Sequence, residues 1–589
     1  MPGQPGGDVL SVLSVLLTAS ILLGSCAPPE APKPPAADEQ VKALADTYLN
    51  GWFNRNPDQM TFYGVPGRHH DRLPDNSTAA LEAWHAKEDV WLADAKAIHP
   101  DAIGSPSLKA TYAIVREALE GSIGARVCRR EMWNVSQMTG WQVPFSYLVT
   151  IQPVGTDEAR QEALARWSSL PDYLDREIAN LRQGIRARYF APKGSVQIVI
   201  EQMSSLMAST GADQPFLSLS VRDKTLAFQK AYAEIFAAQI LPAFKRYRDF
   251  LQAEYLPAAR TDISVAANPN GAACYQAALR AFSTLPIAPK DVHEIGLKQM
   301  DALMLEMKAI AERSFQTSDV PRLLEALKSD RKYMFKDRQE LIAYSEAALA
   351  RAKAAAPNWF GLLPKADVVI EPYPKFREKN APNEYNSPAE DGSRPGLFYI
   401  SAYQAEKKSR SGPESTAFHE TIPGHHLQSA IALERNENHP IGRYIFNSGY
   451  AEGWGLYSER LADEMKLYSS DLDRIGMLSS QAFRAARLVI DTGIHTMGWT
   501  RQQAIDYMVA HTTEGAGDVA SEVDRYIVWP GQATSYMLGN LEIRKAREEA
   551  QQRMGSRFDI KRFHDLVLED GSVPVSFLTT KIRGWSAMP

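Results

Sequence analysis

The sequence predicts a mainly α-helical protein with a small β-sheet inserted near residues 366–401. From Glu39 onward, apolar residues recur at three- and four-residue spacing over most of the chain, which is the period of amphipathic helices. Strand-like alternation is limited to two short runs. Because no linker is apparent after residue 40, we expect residues 39–589 to form one folded domain, either undivided or built of two lobes.

The helical period is clearest in stretches separated by Pro and Gly clusters, such as residues 192–194 and 267–273. These stretches cover residues 38–53, 156–189, 222–255, 290–315 and 338–354. After Ser401 the helical pattern returns and continues nearly to the end of the chain. The strand signals lie between these two helical parts. Residues 366–374 alternate and are rich in Val and Ile, and residues 396–401 form a short aromatic and aliphatic run.

The first 25 residues have the features of a bacterial lipoprotein signal peptide. Val9–Leu23 is an apolar run of fifteen residues, too short to span a membrane comfortably but typical of a signal sequence. It ends in LGSC, which resembles the bacterial lipobox, where the cysteine (here Cys26) is acylated and becomes the mature N-terminus. Residues 26–38 follow as a Pro-rich tether. We therefore expect secretion across the bacterial inner membrane and lipid anchoring, with the protein either periplasmic or on the cell surface.

Charge and cysteine content limit the partners and the redox chemistry. A net charge of -5 and a pI near 6.2 give no reason to expect a nucleic-acid partner, and we expect contact with the membrane through the N-terminal lipid only. Two cysteines remain besides Cys26, namely Cys128 and Cys274. In an oxidising compartment this pair either forms a disulfide or stays as two buried thiols.

Three histidines lie within the eight-residue segment HETIPGHH, residues 419–426. A His-Glu pair followed closely by another His is typical of a hydrolytic zinc site. Two neutral imidazoles bind the Zn²⁺ ion there, and the adjacent carboxylate, here Glu420, acts as general base on the zinc-bound water. The alternative is a structural or surface histidine cluster at a helix kink.

The spacing of these histidines differs from the usual HExxH pattern. On a straight helix, His425 would point roughly 240° round from His419, and His426 would lie about 10.5 Å from it, so neither could share a metal with it. Pro423-Gly424 interrupts the helix. A bulge of two residues would bring His425 into place beside His419, and a bulge of three would bring His426, so both remain candidate ligands.

A third ligand should be a carboxylate on a later helix. The segment AEGWGLYSE contains Glu452 and Glu459, which are seven residues apart and therefore on one helix face. A single buried Glu in an apolar helix is costly unless it binds a cation or forms an ion pair. We expect Glu452 to be the third zinc ligand; the alternative is a carboxylate that stabilises a helix N-terminus.

The segments HETIPGHHLQ, AEGWGLYSE and DRYIVWPGQATSYMLG resemble the bacterial family known as domain of unknown function 885, and the similarity covers most of residues 40–589. That family is grouped with the gluzincin metallopeptidases and is distantly similar to carboxypeptidase Taq, angiotensin-converting enzyme and the thimet-type oligopeptidases. The resemblance implies a helical metallopeptidase shell with a deep channel and a small sheet along the cleft. It also implies a substrate-pairing edge strand just before the zinc helix, a place that residues 396–401, with Phe398 and Tyr399, occupy.

Peptide hydrolysis also needs hydrogen-bond donors for the oxyanion beyond the metal ligands. His495, Tyr526 and Tyr536 are candidates for this catalytic role, with packing in the core as the alternative for each. Arg394 and Arg525 are candidates for binding the C-terminal carboxylate of a substrate, with ordinary salt bridges as the alternative.

These features support three hypotheses about function. The first is zinc-dependent hydrolysis of peptide bonds in short peptides, with Glu420 activating a zinc-bound water. The second is zinc-dependent hydrolysis of a non-peptide amide. The third is a catalytically inactive lipoprotein that keeps the fold as a binding scaffold, and the presence of Glu420 argues against it, because a scaffold needs no general base. No nucleotide-binding loop or serine-hydrolase motif is present in the sequence.

Overall fold

The computed structural model describes residues 36–587, apart from residues 66, 374–377, 379–382, 391 and 393. This part of the chain is mainly helical, which confirms the predicted fold class. The described residues from Ala37 onward form one compact unit. None of their helices is both long and apolar enough to cross a lipid bilayer. The predicted signal peptide and Cys26 lie outside the described residues.

Helices α1 to α16 precede the sheet. Several begin after a Ser, Thr or Asp whose side-chain oxygen accepts a hydrogen bond from the first turn, as Ser77, Thr156 and Asp337 do. Their bounds are α1 Ala37–Arg55, α2 Pro57–Phe62, α3 Thr78–Ala97, α4 Pro106–Ala125, α5 Gln142–Ile151, α6 Asp157–Ser168, α7 Leu170–Ala187, α8 Lys193–Ala208, α9 Ser218–Arg222, α10 Leu226–Ile235, α11 Leu241–Phe250, α12 Leu256–Ala258, α13 Gly271–Ser283, α14 Pro289–Phe315, α15 Val320–Ser329 and α16 Arg338–Ala355.

Two features join these helices further. The π-helical segments Phe236–Ile240 and Leu251–Tyr255 connect α10, α11 and α12 into one nearly continuous rod. A disulfide joins Cys128, just after α4, to Cys274 on α13, with the two Cα atoms 4.6 Å apart. Of the two states left open for this cysteine pair, the structure contains the disulfide.

The sheet lies in the predicted region and has three strands, β1 (Val368–Pro372), β2 (Glu384–Asn386) and β3 (Gly396–Ile400), in the order β1-β3-β2. β3 is parallel to β1 and antiparallel to β2. The prediction that residues 396–401 form a substrate-pairing edge strand is therefore wrong. β3 is the central strand, and both sides of its backbone are hydrogen-bonded to neighbouring strands, so that β1 and β2, and not β3, are the edge strands.

Helices α17 to α26 follow the sheet. Their bounds are α17 Pro413–Glu420, α18 His425–Glu434, α19 Ile441–Tyr444, α20 Ser448–Glu464, α21 Asp471–Thr496, α22 Arg501–His511, α23 Ala516–Val528, α24 Ser535–Met554, α25 Ile560–Leu568 and α26 Val575–Ser586. The long helix α21 packs along α14, and α20 packs along α24. α17 packs against both α20 and α21, which brings the His-Glu segment beside the helix that carries Glu452.

Candidate metal centre

The His-Glu segment is divided between two helices. α17 ends at Glu420 and α18 begins at His425, so residues 421–424 lie outside both. A Cβ atom on Gly424 would lie 1.9 Å from the carbonyl oxygen of His419, and only glycine lets the chain pass this close to the end of α17. The interruption predicted from the Pro-Gly pair is therefore present.

The interruption brings His425 beside His419. Nε2 of His419 lies 3.8 Å from Oε2 of Glu452, and Nε2 of His425 lies 3.5 Å from the same oxygen. The ligand atoms of these three side chains all lie within 4.8 Å of one another. The three side chains are called the candidate metal centre below.

His426, the other candidate ligand, points elsewhere. Its Nε2 lies 3.0 Å from the carbonyl oxygen of Ala366, and its Nδ1 lies 3.0 Å from the hydroxyl of Tyr385. Because a carbonyl oxygen only accepts, Nε2 carries the proton and Nδ1 accepts the hydrogen bond from Tyr385. Burial lowers the pKa of His426 to about 4, which keeps this ring neutral. Both ring nitrogens are thus used within the protein, and neither faces the candidate metal centre.

One face of α20 forms the opposite wall of the centre. Glu452 and Glu459 are two turns apart, and Gly455 lies between them, where a Cβ atom would come within 2.8 Å of the His419 ring. Glu459 Oε1 lies 2.9 Å from Nδ1 of His419, and its Oε2 accepts a hydrogen bond of 3.2 Å from Gln481 of α21. Glycine at 455 therefore makes room for the imidazole, while Glu459 orients it.

Neighbouring charges within this group control its protonation. Burial lowers the pKa of His419, but the nearby carboxylates of Glu452 and Glu459 outweigh burial and raise that pKa to about 9. Burial alone would raise the pKa of Glu452, yet the nearby imidazoles of His419 and His425 hold it well below its usual range. These shifts favour a protonated imidazole beside an ionised carboxylate at the point where the ligand atoms converge, and a divalent cation would replace that proton.

The donor set fits zinc. Catalytic zinc sites commonly use three protein ligands, His and Glu among them, and keep a further position open. Two imidazole nitrogens and one carboxylate oxygen converge here from three helices. In many zinc sites a carboxylate outside the ligand set hydrogen-bonds to a zinc-binding imidazole and orients it, and Glu459 has this position beside His419. Glu420 directly follows His419 in the chain but is not part of the ligand group.

A cavity of about 1010 Å³ reaches the candidate metal centre. Its lining includes His419, His425, Glu452 and Glu420. The aromatic and cationic side chains of the lining include Tyr385, Tyr399, Tyr536, Arg394, Arg484 and Arg487. A volume of this size is at the upper end of the range for small-molecule sites and leaves room for a peptide of a few residues.

The predicted substrate contacts divide into two groups. Tyr399 and Arg394 line the cavity. Phe398 does not, because its side chain is fully buried in the hydrophobic core. Side chains alternate along a strand, so Phe398 points to the opposite face of the sheet from Tyr399. Its assignment as a substrate contact is therefore corrected to core packing.

The predicted catalytic and carboxylate-binding residues also divide. Tyr536 lines the cavity, whereas His495, Tyr526 and Arg525 are not among its lining residues. Nδ1 of His495 accepts a hydrogen bond of 3.1 Å from the backbone N–H of Val265, and its Nε2 lies 3.1 Å from the carbonyl oxygen of Tyr526. His495 thus has a structural role, which corrects its assignment as a catalytic residue.

Tyr526 and Arg525 are held behind the cavity wall. The Tyr526 hydroxyl donates to Glu522 at 2.8 Å and accepts from Nε of Arg487 at 3.0 Å. Arg525 interacts with Glu522 and with the side-chain oxygen of Gln532. The catalytic assignment of Tyr526 and the carboxylate-binding assignment of Arg525 are therefore corrected to roles within this network.

The cavity-wall residues that were not predicted from the sequence include Tyr385, Arg484 and Arg487. The two arginines stand in the apolar stretch AFRAARLVI of α21, and charged residues in so apolar a helix were the available signal. No comparable signal marks Tyr385, because it lies on a three-residue strand within a polar segment.

The model of a family described as bacterial protein of unknown function (DUF885) matches residues 57–582. No curated protein matches the sequence. Among solved structures, a "putative lipoprotein" from Colwellia psychrerythraea has a TM-score of 0.84 and 25% identity, over 94% of this chain and 99% of that one. A "putative lipoprotein of unknown function" from Shewanella oneidensis has a TM-score of 0.75 and 17% identity, over 92% and 99% of the two chains, and shows the shared fold alone.

Proposed function

The chain belongs to the family of bacterial proteins of unknown function called DUF885, as its motifs indicated, and from its side chains we propose that it is a zinc-dependent peptidase acting on short peptides. One observation carries this proposal. The ligand atoms of His419, His425 and Glu452 converge at the wall of a large cavity that also contains Glu420. A histidine cluster with only a structural role would not require a cavity or a spare carboxylate at the same point.

The residues of the site divide the work of hydrolysis. His419, His425 and Glu452 would hold the zinc ion, and Glu459 keeps the His419 ring oriented through their 2.9 Å contact. Bound zinc supplies Lewis acidity, which lowers the pKa of water and polarises a peptide carbonyl. The remaining chemistry belongs to Glu420 and to a donor for the oxyanion.

Glu420 serves as the general base. Its carboxylate accepts a proton from the attacking water as the new C–O bond forms, and it delivers that proton to the amide nitrogen as the C–N bond breaks. Burial raises the pKa of Glu420 towards neutral pH. A general base is most effective when its pKa lies near the pH at which the enzyme works.

Tyr536 is the candidate donor to the oxyanion. Of the three donors predicted from the sequence, it is the one that lines the cavity. Tyr385 also lines the cavity, but its hydroxyl hydrogen is directed to Nδ1 of His426. A hydroxyl on Tyr536 supplies the hydrogen bond that developing negative charge on the carbonyl oxygen requires.

The proposed location is a bacterial membrane surface facing the periplasm or the exterior. The LGSC sequence ending at Cys26 supports lipid anchoring, and the similar solved structure from Colwellia psychrerythraea is described as a putative lipoprotein. Replacing Cys26 by Ala should release the protein from the membrane fraction of a bacterial host. Unchanged fractionation, together with no acyl mass on the mature N-terminus, would contradict lipid anchoring.

Glu420→Gln tests the catalytic proposal. The amide keeps the shape of the side chain and leaves the ligands in place, but it cannot accept a proton. We expect turnover in a mixed-peptide digestion read by mass spectrometry to fall by roughly 10²–10⁴-fold, with zinc content and unfolding temperature unchanged.

Glu390→Gln is the matched control. Glu390 is another carboxylate of the same cavity, and it accepts a hydrogen bond of 3.2 Å from Tyr444. This variant should keep its peptide turnover.

A Glu420→Gln protein that stays folded, keeps its zinc and cleaves peptides at the wild-type rate would disprove the mechanism. Hydrolysis of other amides but of no peptide by the wild type would favour the amidohydrolase, and no hydrolysis of either would favour the scaffold.

A further inference from the structure

Helix α21 forms a cationic wall of the cavity. Gln481, Arg484 and Arg487 follow one another at three-residue spacing, so they lie close together along one side of the helix. Gln481 contacts Glu459, which in turn contacts His419 of the candidate metal centre. The two arginines come next along the helix, and both line the cavity.

Arg487 is held rigidly but has an unused donor. Only 4% of the residue is exposed. Its Nη2 donates to Glu522 at 2.9 Å and its Nε to the Tyr526 hydroxyl at 3.0 Å. The guanidinium also lies over the ring of Tyr536, 4.5 Å from its centre. Nη1 has no hydrogen-bond partner among the described residues, although a buried charged donor without a partner is costly.

Arg484 has even fewer partners. Its Nη1 donates to the Ser480 hydroxyl at 2.7 Å, and no carboxylate of the described chain lies within salt-bridge distance of it. Its buried Nε is unpaired, as Nη1 of Arg487 is. Nη1 of Arg487 is the more specific signal, because several other arginines of the described chain also leave Nε unpaired.

The charge of this wall is positive overall. Arg484, Arg487 and Arg525 carry three positive charges, and Glu522 forms salt bridges with the last two. Two further carboxylates lie near Arg484: burial raises the pKa of Glu514, whereas the contact with His419 lowers that of Glu459, so the three cations still outnumber the ionised carboxylates. An anionic ligand would therefore be attracted to Arg484 and Arg487.

The spacing of the two arginines along α21 from Gln481 is comparable with the length of a few residues of an extended peptide. At 1.5 Å per residue, Arg484 and Arg487 lie about 4.5 and about 9 Å along the helix from Gln481. An extended peptide covers about 3.3–3.6 Å per residue. Arg484 is also close enough to Glu420 for its charge to act on that carboxylate. This spacing corresponds to one to three substrate residues.

We propose that Arg484 and Arg487 bind the free C-terminal carboxylate of the substrate, so that the enzyme releases one to three residues from the C-terminus of short peptides. The proposal rests on the proposed peptidase function. Both arginines line the cavity, and their guanidinium N–H groups are the donors for the two oxygens of one carboxylate. The wall behind them, with Glu522 and Tyr526, is built to hold the Arg487 fork in place.

Neither arginine predicted from the sequence has this arrangement. Arg525 does not line the cavity. Arg394 does, but its two terminal nitrogens donate to the backbone carbonyl oxygens of Pro395 and Ser387, at 3.2 and 2.8 Å. Arg394 therefore offers a matched control, since it is a cavity-lining arginine that already has acceptors.

The test compares each peptide with its C-terminal amide, using zinc-loaded full-length protein. Wild type should cleave the free acid with a kcat/KM roughly 10- to 100-fold above that of the amide, the size expected for charge-assisted hydrogen bonds to one carboxylate. In Arg484→Gln this acid-to-amide ratio should fall towards one, and in Arg394→Gln it should stay at the wild-type value. Released fragments of one to three residues should come from the C-terminal end.

Arg487 needs a paired variant, because its removal alone would leave Glu522 buried beside fewer cations. Arg487→Gln combined with Glu522→Gln removes both charges of the pair, and unfolding temperature shows whether the protein is intact. An acid-to-amide ratio that collapses in this folded variant supports the proposal. A ratio that is already one in wild type, or that collapses only in Arg394→Gln, overturns it.

Binding separates this proposal from the peptidase function itself. In the Glu420→Gln background, calorimetry with an N-acetylated tripeptide and its C-terminal amide measures affinity without turnover. Tighter binding of the acid that is lost with Arg484→Gln supports the carboxylate site even if the wild type hydrolyses nothing. The arginines could instead bind an internal Glu side chain of the peptide, and the C-terminal amide would then bind as tightly as the acid. That result would overturn the C-terminal assignment, whatever the activity.

Discussion

Two buried clusters of histidine and carboxylate lie along helix α21 and differ in what their polar atoms face. The candidate metal centre lies beside Gln481, which contacts Glu459. The second cluster, called the sealed cluster, consists of Asp491 and His495 on α21 and Tyr275 on α13. Histidines of both regions were candidate functional residues in the sequence, and the structure supports a functional role only for the first region.

Every polar atom of the sealed cluster has a partner inside the protein. Asp491 accepts hydrogen bonds from the Tyr275 hydroxyl at 2.6 Å and from the backbone N–H of Gly531 at 3.0 Å. Both ring nitrogens of His495 are bonded to backbone groups. Burial lowers the pKa of His495 to about 3, so this ring is neutral at neutral pH, and burial raises the pKa of Asp491 to about 7.

The candidate metal centre is arranged in the opposite way. Acceptor atoms of Glu452, His419 and His425 converge on one point and face the cavity. Converging acceptors in a buried place are costly unless a proton or a cation lies between them. Burial and histidine content are therefore shared by the two clusters, and convergence of acceptors on a cavity is what distinguishes a candidate functional site.

The largest expected effect is loss of metal binding when a ligand is removed. Glu452→Gln or His425→Gln should weaken zinc binding by more than about 100-fold, beyond the range for outer residues of a zinc site. Metal analysis after competition with a chelator measures this. His426→Gln is the control, because its ring points to Tyr385 and Ala366, and its zinc affinity should stay within about tenfold of wild type. Loss of zinc in the control with retention in His425→Gln would reverse the ligand assignment.

A smaller effect is expected from the outer carboxylate. Glu459→Gln removes the charge that orients His419 and should weaken zinc binding by roughly 10- to 100-fold. The same chelator competition measures it. A Glu459 variant that binds zinc as weakly as Glu452→Gln would mean that Glu459 is itself a ligand, and unchanged affinity would mean that it does not support His419.

A further prediction concerns the pH dependence of zinc binding at the candidate metal centre. The pKa of His419 is about 9 before metal binding, because Glu452 and Glu459 favour its protonated form. Zinc must displace this proton, so affinity should fall as pH decreases below about 9, by roughly tenfold per unit for one proton released. Titrations in buffers of different ionisation enthalpy count the protons. Affinity that is independent of pH between 7 and 9 would contradict the proton held between His419 and the carboxylates.

The smallest effect on activity is expected in the sealed cluster. His495→Leu leaves the N–H of Val265 and the carbonyl of Tyr526 without partners, which should destabilise the protein by roughly 1–3 kcal/mol. Zinc content and peptide turnover below the unfolding transition should stay within about twofold of wild type. Chemical denaturation and peptide digestion test the two parts separately. A stable His495→Leu protein that has lost its peptide turnover would show that His495 is a catalytic residue after all.

Prediction from the sequence was most accurate where the relevant pattern is local. The helical class and the position of the sheet follow from periodicity over a few turns, and the match to DUF885 confirms the family suggested by the motifs. The prediction was least accurate for side chains chosen by residue type alone, such as His495, Tyr526 and Arg525. A His, Tyr or Arg on an apolar helix is compatible with catalysis and with internal hydrogen bonding alike, and its partners come from distant parts of the chain.

Local sequence was enough to predict that the helix ends after the His-Glu pair and that Glu452 and Glu459 share one helix face, because Pro-Gly pairs and the helical repeat act over a few residues. Which histidine lies beside His419 depends instead on how the helices pack. His425 and His426 are neighbours, and consecutive residues of a helix point about 100° apart. The packing of α17 and α18 against α20 directs one ring to Glu452 and the other to Tyr385 of the sheet. The tertiary structure likewise selected Arg484 and Arg487 for the cavity, since that depends on how α21 packs against α14 and α17.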